Sequence, residues 1–186
     1  MNVLNTAISG VLLFEPVVRE DERGWFFETY RQDVLDALVG GEVRFVQDNR
    51  SRSRRGVLRG LHYQLPPRAQ GKLVQVVEGE IYDVAVDLRR ESATFGQWVG
   101  EVLSTGNRRQ MWIPPGFAHG FYVLSEHAEI FYKTSDYYSP AHERCIAWDD
   151  PELAIDWPLD GEPLMSPRDR SARTFREGIA EMGRSS

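Results

Sequence analysis

Residues 81–88, IYDVAVDL, decide the fold, because their side chains alternate in character with the two-residue period of a β-strand. One face of such a strand carries Tyr82, Val84, Val86 and Leu88. The opposite face combines Ile81 and Ala85 with two acidic residues, Asp83 and Asp87. This acidic face either meets solvent or lines a polar cavity inside a barrel, and the alternation alone leaves both arrangements open.

Short runs of β-branched and aromatic residues on both sides of this segment predict further strands. They are Val57–Tyr63, Leu73–Val77, Trp98–Leu103, Met111–Ile113, Gly120–Leu124 and Ala128–Thr134. The connections between them are too short for helical crossovers, so we expect a mainly antiparallel sheet that closes into a sandwich or barrel. The pattern does not favour a parallel α/β fold.

Outside the strands, the apolar spacing from Gln32 to Val39 predicts a short helix that the glycines after it would end. A second helix is expected near Ser166–Glu177, and the irregular tail of about 140–186 is expected to pack over the barrel. A length of 186 residues without internal repeats predicts a single domain spanning 1–186.

Composition narrows the class of protein. Apolar residues make up 41% and charged residues 27%, which is ordinary for a globular chain. A formal net charge of -6 opposes general binding to nucleic acid or to anionic membranes. The single cysteine, the lack of a basic and apolar leader and the absence of a long apolar run predict a soluble cytoplasmic protein.

The segment with the most chemistry is RGLHYQ at 59–64, which a lysine, Lys72, follows closely. On two adjacent strands, His62 could act as a base beside the cationic Arg59 and Lys72. An ordinary half-buried histidine with two solvated cations would give the same pattern.

Two later segments also contain reactive groups. Residues 112–121, WIPPGFAHGF, place His119 at the start of a strand, where it could be a ligand or a core histidine. Residues 131–140, FYKTSDYYSP, contain Tyr132 and an aromatic turn. A tyrosine can donate a proton, an exposed ring can stack on a nucleobase, and most tyrosines simply pack.

Metal and nucleic-acid sites are weakly indicated. The four histidines contain no H-x-H or H-x-x-x-H pair, and Cys145 stands alone, so no metal site is predicted. The basic run RSRSRR at 50–55 could face RNA, hold a phosphate or be a solvated loop. Nucleic-acid readers usually have a broader basic surface, so an anionic small ligand fits the acidic chain better.

Five motifs stand in a fixed order along the chain: 23–28 (RGxFxE), 47–49 (QDN), 59–64 (RGLHYQ), 114–121 (PxGFAHGF) and 132–138 (YKxxDYY). Together they resemble the dTDP-4-dehydrorhamnose 3,5-epimerase family, from Phe14 to about Phe175. The resemblance implies a mainly β, cupin-type double-sheet jelly-roll β-barrel with a few short peripheral helices. It also implies that the acidic face of 81–88 points into the barrel.

The resemblance implies an isomerase acting on a dTDP-linked 4-keto-6-deoxyhexose. Its ketone acidifies the hydrogens on carbons 3 and 5, and reprotonation from the opposite face inverts each centre. His62 is then the proton acceptor, Tyr132 the proton donor and Asp169 the carboxylate that orients His62. Lys72, with Arg59, would stabilise the enolate oxyanion.

The resemblance also implies a larger set of substrate contacts, with Tyr138 stacking on thymine. The set is Arg23, Phe26, Glu28, Gln47, Asp48, Asn49, Arg59, Lys72, Asp83, His119, Tyr138, Glu143 and Arg168. Arg168 departs from the family, which more often has lysine there. No cofactor and no metal are expected, because the H-x-H of metal-binding cupins is His62-x-Gln64 here.

The family is dimeric, so a homodimer is expected in which N-terminal strands of about 1–50 are exchanged and the partner supplies some of the 23–28 contacts. The basic run 50–55 is expected to be a solvated or dimer-edge loop. Three alternatives stay open: a single-centre epimerase with the same catalytic residues, a metal-dependent cupin enzyme using His62 and His119, and a non-catalytic sugar-nucleotide-binding protein.

Overall fold

The computed structural model describes residues 1–182. In chain order its elements are β1 (Asn2–Asn5), β2 (Leu12–Glu15), β3 (Arg19–Asp21), β4 (Gly24–Phe26), α1 (Gln32–Val39), β5 (Gln47–Arg54), β6 (Leu58–Gln64), β7 (Lys72–Glu78), β8 (Glu80–Asp87), β9 (Trp98–Ser104), β10 (Gln110–Ile113), β11 (Phe117–Val123), β12 (His127–Thr134), β13 (Glu143–Cys145), α2 (Pro167–Arg170) and α3 (Phe175–Met182). Each predicted strand overlaps an observed one, and α1 has the predicted bounds.

The strands form two main antiparallel sheets that face each other. The six-stranded sheet has the order β1-β2-β10-β7-β12-β5, and the five-stranded sheet has the order β13-β6-β11-β8-β9. Strands β3 and β4 form a separate two-stranded hairpin. The expected mainly β, double-sheet architecture with few short helices is therefore confirmed.

Apolar side chains from both sheets fill the interior. Val74, Met111 and Ile130 of one sheet pack with Leu103 and Phe121 of the other. The outer face of the five-stranded sheet is covered in turn by the chain that follows β13. As a result both faces of that sheet are buried, and the apolar side chains on them are removed from water.

The acidic face of β8 lies inside the protein. Asp83 and Asp87 are both fully buried, so the solvent-facing arrangement that the alternation left open is wrong. Asp87 lies at the end of the strand, where Arg89, Ser92 and Thr94 donate hydrogen bonds to its carboxylate. Asp83 is instead held next to His119 in the barrel.

Strand β5 was not predicted. Its inward side chains, Gln47, Asn49, Ser51 and Ser53, are polar, and its outward ones are charged, so it lacks the apolar alternation that signals a strand. The basic run is the exposed face of this edge strand rather than a loop. Arg50 pairs with Glu129, and Arg52 pairs with Glu78.

The C-terminal helix is also corrected. Two short helices, α2 and α3, replace the single helix expected near Ser166–Glu177. Between them, Arg173 donates its backbone N–H to Cys145 and accepts one from Ala147. This parallel bridge to the strand region takes the backbone out of helical geometry. No helix within residues 1–182 is long and apolar enough to cross a membrane.

Candidate active site

A histidine–carboxylate pair joins β6 to α2. His62 Nε2 lies 2.7 Å from Asp169 Oδ1. Ser166 caps α2, and its hydroxyl accepts the backbone N–H of Asp169, which fixes the carboxylate at the helix start. The His62 side chain is 30% exposed and that of Asp169 only 5%. The imidazole therefore faces open space while its carboxylate partner is buried.

The Asp169 carboxyl is held in its ionised form. Burial alone would raise its pKa, but the hydrogen bond and charge of His62, together with the Ser166 contact, outweigh burial and leave the pKa below its usual range. An ionised carboxylate only accepts hydrogen bonds, so Nε2 of His62 carries the shared hydrogen. In the neutral imidazole, Nδ1 of His62 then keeps its lone pair.

A polar cavity of about 240 Å³ opens beside His62, between the two sheets. Its walls are formed by Gln47, Asn49, His62, Tyr63, Gln64, Gln70, Lys72, Tyr132, Tyr138 and Glu143. Most of these residues were in the predicted substrate site. No role was predicted for Tyr63, Gln64 and Gln70, although Gln64 belongs to the same motif as His62.

Tyr132 lies on β12, in the sheet that faces the His62 strand. Burial raises the pKa of Tyr132, and the nearby Arg59 charge opposes this shift only in part. The phenol is therefore protonated at neutral pH and available as a donor. The predicted base and the predicted acid thus belong to opposite walls of one cavity.

Lys72 is a buried member of the lining of this cavity. Its Nζ donates to the backbone carbonyl of His62 over 3.4 Å. Burial lowers the pKa of Lys72 to about 8, against the pull of Asp83 and Glu143. A cationic amine with so little solvent around it is suited to stabilising a developing negative charge.

His119 and Asp83 form a second buried pair, with Nε2 and Oδ1 2.7 Å apart. Burial lowers the pKa of His119, although Asp83 opposes the shift. Neither residue is among those lining the 240 Å³ cavity. Within residues 1–182, Asp83 Oδ2 has no hydrogen-bond partner. The structure therefore buries these two predicted contacts as a pair that does not line the cavity.

Cationic groups surround a second cavity of about 520 Å³, which meets the first at His62. Arg54, Arg59, Arg168 and Arg170 line it. Arg59 Nε donates to Ser53 Oγ over 3.2 Å. Arg168 donates to Glu143 over 2.7 Å, and the Tyr138 hydroxyl bonds the same carboxylate oxygen. This arrangement suits an anion bound beside His62.

Four more predicted contacts, besides Asp83 and His119, are not brought into either cavity. Arg23 and Phe26 lie on the β3–β4 hairpin, where Arg23 pairs with Asp21 and Phe26 is 71% exposed. The groove beside this hairpin shares no lining residue with the two cavities. Glu28 is exposed near Arg31, and Asp48 pairs with Lys133 on the outer face of β5.

Among the described residues, His62, Cys145 and Asp169 are close enough to share a metal ion, with ligand atoms all within 4.8 Å of one another. Burial, followed by the charge of Asp169, raises the pKa of Cys145 to about 12. The thiol is thus protonated at neutral pH, and arginines line the cavity that leads to the cluster. The chemistry of these donors does not favour a resident cation.

Comparisons with known proteins agree with this geometry. The sequence model of a family described as dTDP-4-dehydrorhamnose 3,5-epimerase matches residues 5–177. A dTDP-4-dehydrorhamnose 3,5-epimerase of Pseudomonas aeruginosa is 62% identical over 177 residues, covering 95% of this chain and 97% of the relative. A dTDP-4-dehydrorhamnose 3-epimerase of Streptomyces niveus is 42% identical over 177 residues, covering 95% and 85%.

Among solved structures, the chain is similar to a dTDP-6-deoxy-D-glucose-3,5-epimerase of Legionella pneumophila in complex with dTDP-4-keto-L-rhamnose. The TM-score is 0.93 and the identity 53%, covering 97% of this chain and 96% of that one. The similarity therefore spans both sheets as well as the residues around His62.

Proposed function

Because the chain belongs to the dTDP-4-dehydrorhamnose 3,5-epimerase family, we propose that it is the isomerase converting dTDP-4-dehydro-6-deoxy-D-glucose to dTDP-4-dehydro-L-rhamnose. The reaction inverts carbons 3 and 5 of the sugar. The strongest support is the placement of His62 and Tyr132 on opposite walls of a single polar cavity, with Asp169 hydrogen-bonded to His62.

In this proposal His62 removes the proton. The hydrogens on carbons 3 and 5 are acidic because the ketone at carbon 4 accepts the electron pair as an enolate. Nδ1 of His62 takes the proton, since Nε2 is committed to Asp169. The buried carboxylate stabilises the imidazolium that forms, as in other histidine–carboxylate pairs.

Lys72 and Tyr132 complete each inversion. A protonated Lys72 stabilises the enolate oxyanion in a site with little water, where such an interaction is strong. Tyr132 then delivers a proton to the other face of the carbon, so its configuration is inverted. His62 then returns its proton to water and Tyr132 regains one from water, and repeating the sequence at the second carbon gives the 3,5-epimer.

The nucleotide is proposed to lie over the two cavities that share His62. Arg59 and Arg168 bind the diphosphate, and Tyr138, whose ring is half exposed, stacks on thymine. Gln47, Asn49 and Glu143 line the cavity and contact the substrate. Proposed roles for Asp83 and His119 are indirect, because both are buried and line neither cavity.

We propose further that the protein is a homodimer in which the β3–β4 hairpin of one chain completes the site of the other. Trp25 is 60% exposed and Phe26 is 71% exposed, and large apolar side chains are seldom left in water on such a projection. Arg23, Phe26 and Glu28 would then reach a substrate that they cannot reach in their own chain. Cytoplasmic location stays a prediction of the sequence.

A single-centre epimerase is a second candidate function, and one comparison supports it. The Streptomyces niveus relative carries the name of a 3-epimerase. The higher identity and coverage of the Pseudomonas aeruginosa 3,5-epimerase favour inversion at both carbons. The same catalytic residues would serve either reaction.

Proton NMR of the substrate with the enzyme in deuterated water tests the proposal, with His62→Ala as the control. We expect deuterium to enter at carbons 3 and 5 together with inversion, and neither event with His62→Ala. Exchange at one carbon only would establish the single-centre epimerase. No exchange, or full exchange with His62→Ala, would overturn the mechanism.

A further inference from the structure

We propose that Gln64 is a positioning residue that sets the place of Tyr138 and, through it, of the nucleobase. The inference rests on the proposed function, because it assumes that Tyr138 binds the nucleotide. Its basis is the set of hydrogen bonds by which the Gln64 carboxamide holds the backbone on both sides of Tyr138.

Gln64 is the last residue of β6 and is 6% exposed. Its Oε1 accepts the backbone N–H of Ser139 over 2.7 Å. Its Nε2 donates to the carbonyl of Tyr137 over 3.2 Å and to that of Arg68 over 2.6 Å. One side chain therefore holds the residues immediately before and after Tyr138.

The other sheet holds the residue between them. Gln47, the first residue of β5, accepts the backbone N–H of Tyr138 on its Oε1 over 2.9 Å. β6 belongs to the five-stranded sheet and β5 to the six-stranded sheet. Two glutamine side chains, one from each main sheet, thus hold residues 137–139.

The hydrogen-bonding capacity of Gln64 explains why it acts indirectly. A carboxamide has two N–H donors, and both are used by the carbonyls of Tyr137 and Arg68. Although Gln64 lines the 240 Å³ cavity, it has no donor left for a substrate. Its Oε1 already accepts the Ser139 N–H, so we expect its effect on binding to pass through the loop that it holds.

The Tyr138 ring depends on this backbone, because little packs around it. The residue is 50% exposed, and its hydroxyl bonds Glu143. A partly exposed ring is aimed mainly by the position of its own backbone. Release of residues 137 and 139 would let the ring occupy several positions, so that binding would have to order it again.

Two variants of different severity test the idea. Gln64→Met removes all three hydrogen bonds at nearly constant volume. Gln64→Glu keeps an acceptor for Ser139. Its second carboxylate oxygen replaces the N–H donor, so it faces the carbonyl oxygens of Tyr137 and Arg68 without a hydrogen bond. We expect the Kd for dTDP, measured by calorimetry, to rise roughly tenfold with either variant, which is the loss of about one hydrogen bond to an ordered loop. At saturating substrate, kcat should stay within about twofold, since the groups that move protons are unchanged.

A double-mutant cycle with Tyr138→Ala separates this role from a general loss of stability. If Gln64 acts through Tyr138, then Gln64→Met should no longer weaken dTDP binding once the ring is gone. Gln97→Met, at an exposed turn away from both cavities, is the matched control and should leave the Kd unchanged.

Unchanged dTDP affinity in both Gln64 variants would overturn the inference, even if their melting temperatures fell. So would additive effects of Gln64→Met and Tyr138→Ala, or a Tyr138→Ala variant that binds dTDP like the wild type. A wild-type protein that binds dTDP with the expected cycle but epimerises nothing would refute the proposed function and leave the role of Gln64 supported.

Discussion

Nε2 of His62 and Oδ1 of Asp169 lie 2.7 Å apart, although 107 positions separate the two residues in the chain. Two other histidines also face a carboxylate: His119 with Asp83, and His127 with Glu78. The His119 pair is buried, and both members of the His127 pair are on the surface. Among these pairs, that of His62 alone combines a buried carboxylate with an imidazole that lines a cavity.

Asp169→Asn should lower kcat by roughly 10²–10⁴-fold, because the amide neither stabilises the imidazolium nor fixes the tautomer with a free Nδ1. Steady-state kinetics with the dTDP-linked substrate would measure this, and circular dichroism would verify folding. A variant with more than a third of wild-type kcat would show that the carboxylate does not support the base.

His62→Asn should abolish deuterium exchange into the substrate, whereas His127→Asn should retain it. His127 offers a matched control, because its 2.6 Å contact with Glu78 reproduces a histidine–carboxylate pair whose members line neither cavity. Loss of such a surface pair should cost about 0–1 kcal/mol of unfolding free energy. Equal loss of exchange in both variants would mean that the assay reports stability rather than catalysis.

Tyr138→Ala should weaken dTDP binding by roughly 5–150-fold, since base stacking is worth about 1–3 kcal/mol. Tyr137→Ala is the neighbouring control, because its ring is also exposed and does not line the cavity. Calorimetric titration with dTDP compares the two. Similar affinities would assign the stacking role to another aromatic ring.

Activity should fall as pH rises through about 8, because burial lowers the pKa of Lys72 to about 8. The protonated amine stabilises the enolate, and above this pH the amine becomes neutral. Lys72→Arg keeps its charge at far higher pH, so any activity that this variant retains should lack the basic limb. A pH profile of kcat/KM measures both. An unchanged basic limb in Lys72→Arg would assign it to another group.

Mixed dimers should recover activity if the hairpin completes the partner's site. An equal mixture of Arg23→Ala and His62→Asn chains, after subunit exchange, should reach about a quarter of wild-type activity, since half of the dimers hold one intact site. A mixture of His62→Asn and Asp169→Asn should stay inactive, because these residues share one chain's site. No recovery in the first mixture would place Arg23 in its own chain's site or in none.

Local pattern predicted the regular part of the fold. The period-two alternation in β8 and the apolar runs around it predicted the inner strands, and helix α1 matched its prediction. Strand β5 was not predicted, because both of its faces are polar, one toward the cavity and one toward water. The break between α2 and α3 was not predicted either, because a long-range bridge from Arg173 produces it.

By itself, the sequence determined which residue types were available: a histidine, a tyrosine, a lysine and arginines in motifs that resemble those of sugar-nucleotide epimerases. The pairing of Asp169 with His62 was expected only through that resemblance, and tertiary structure alone decided that Asp83 pairs with His119 and that Gln64 holds the loop of Tyr138. The physical reason is that such contacts join distant segments, and their geometry and burial exist only when the two sheets and the C-terminal segment have packed together.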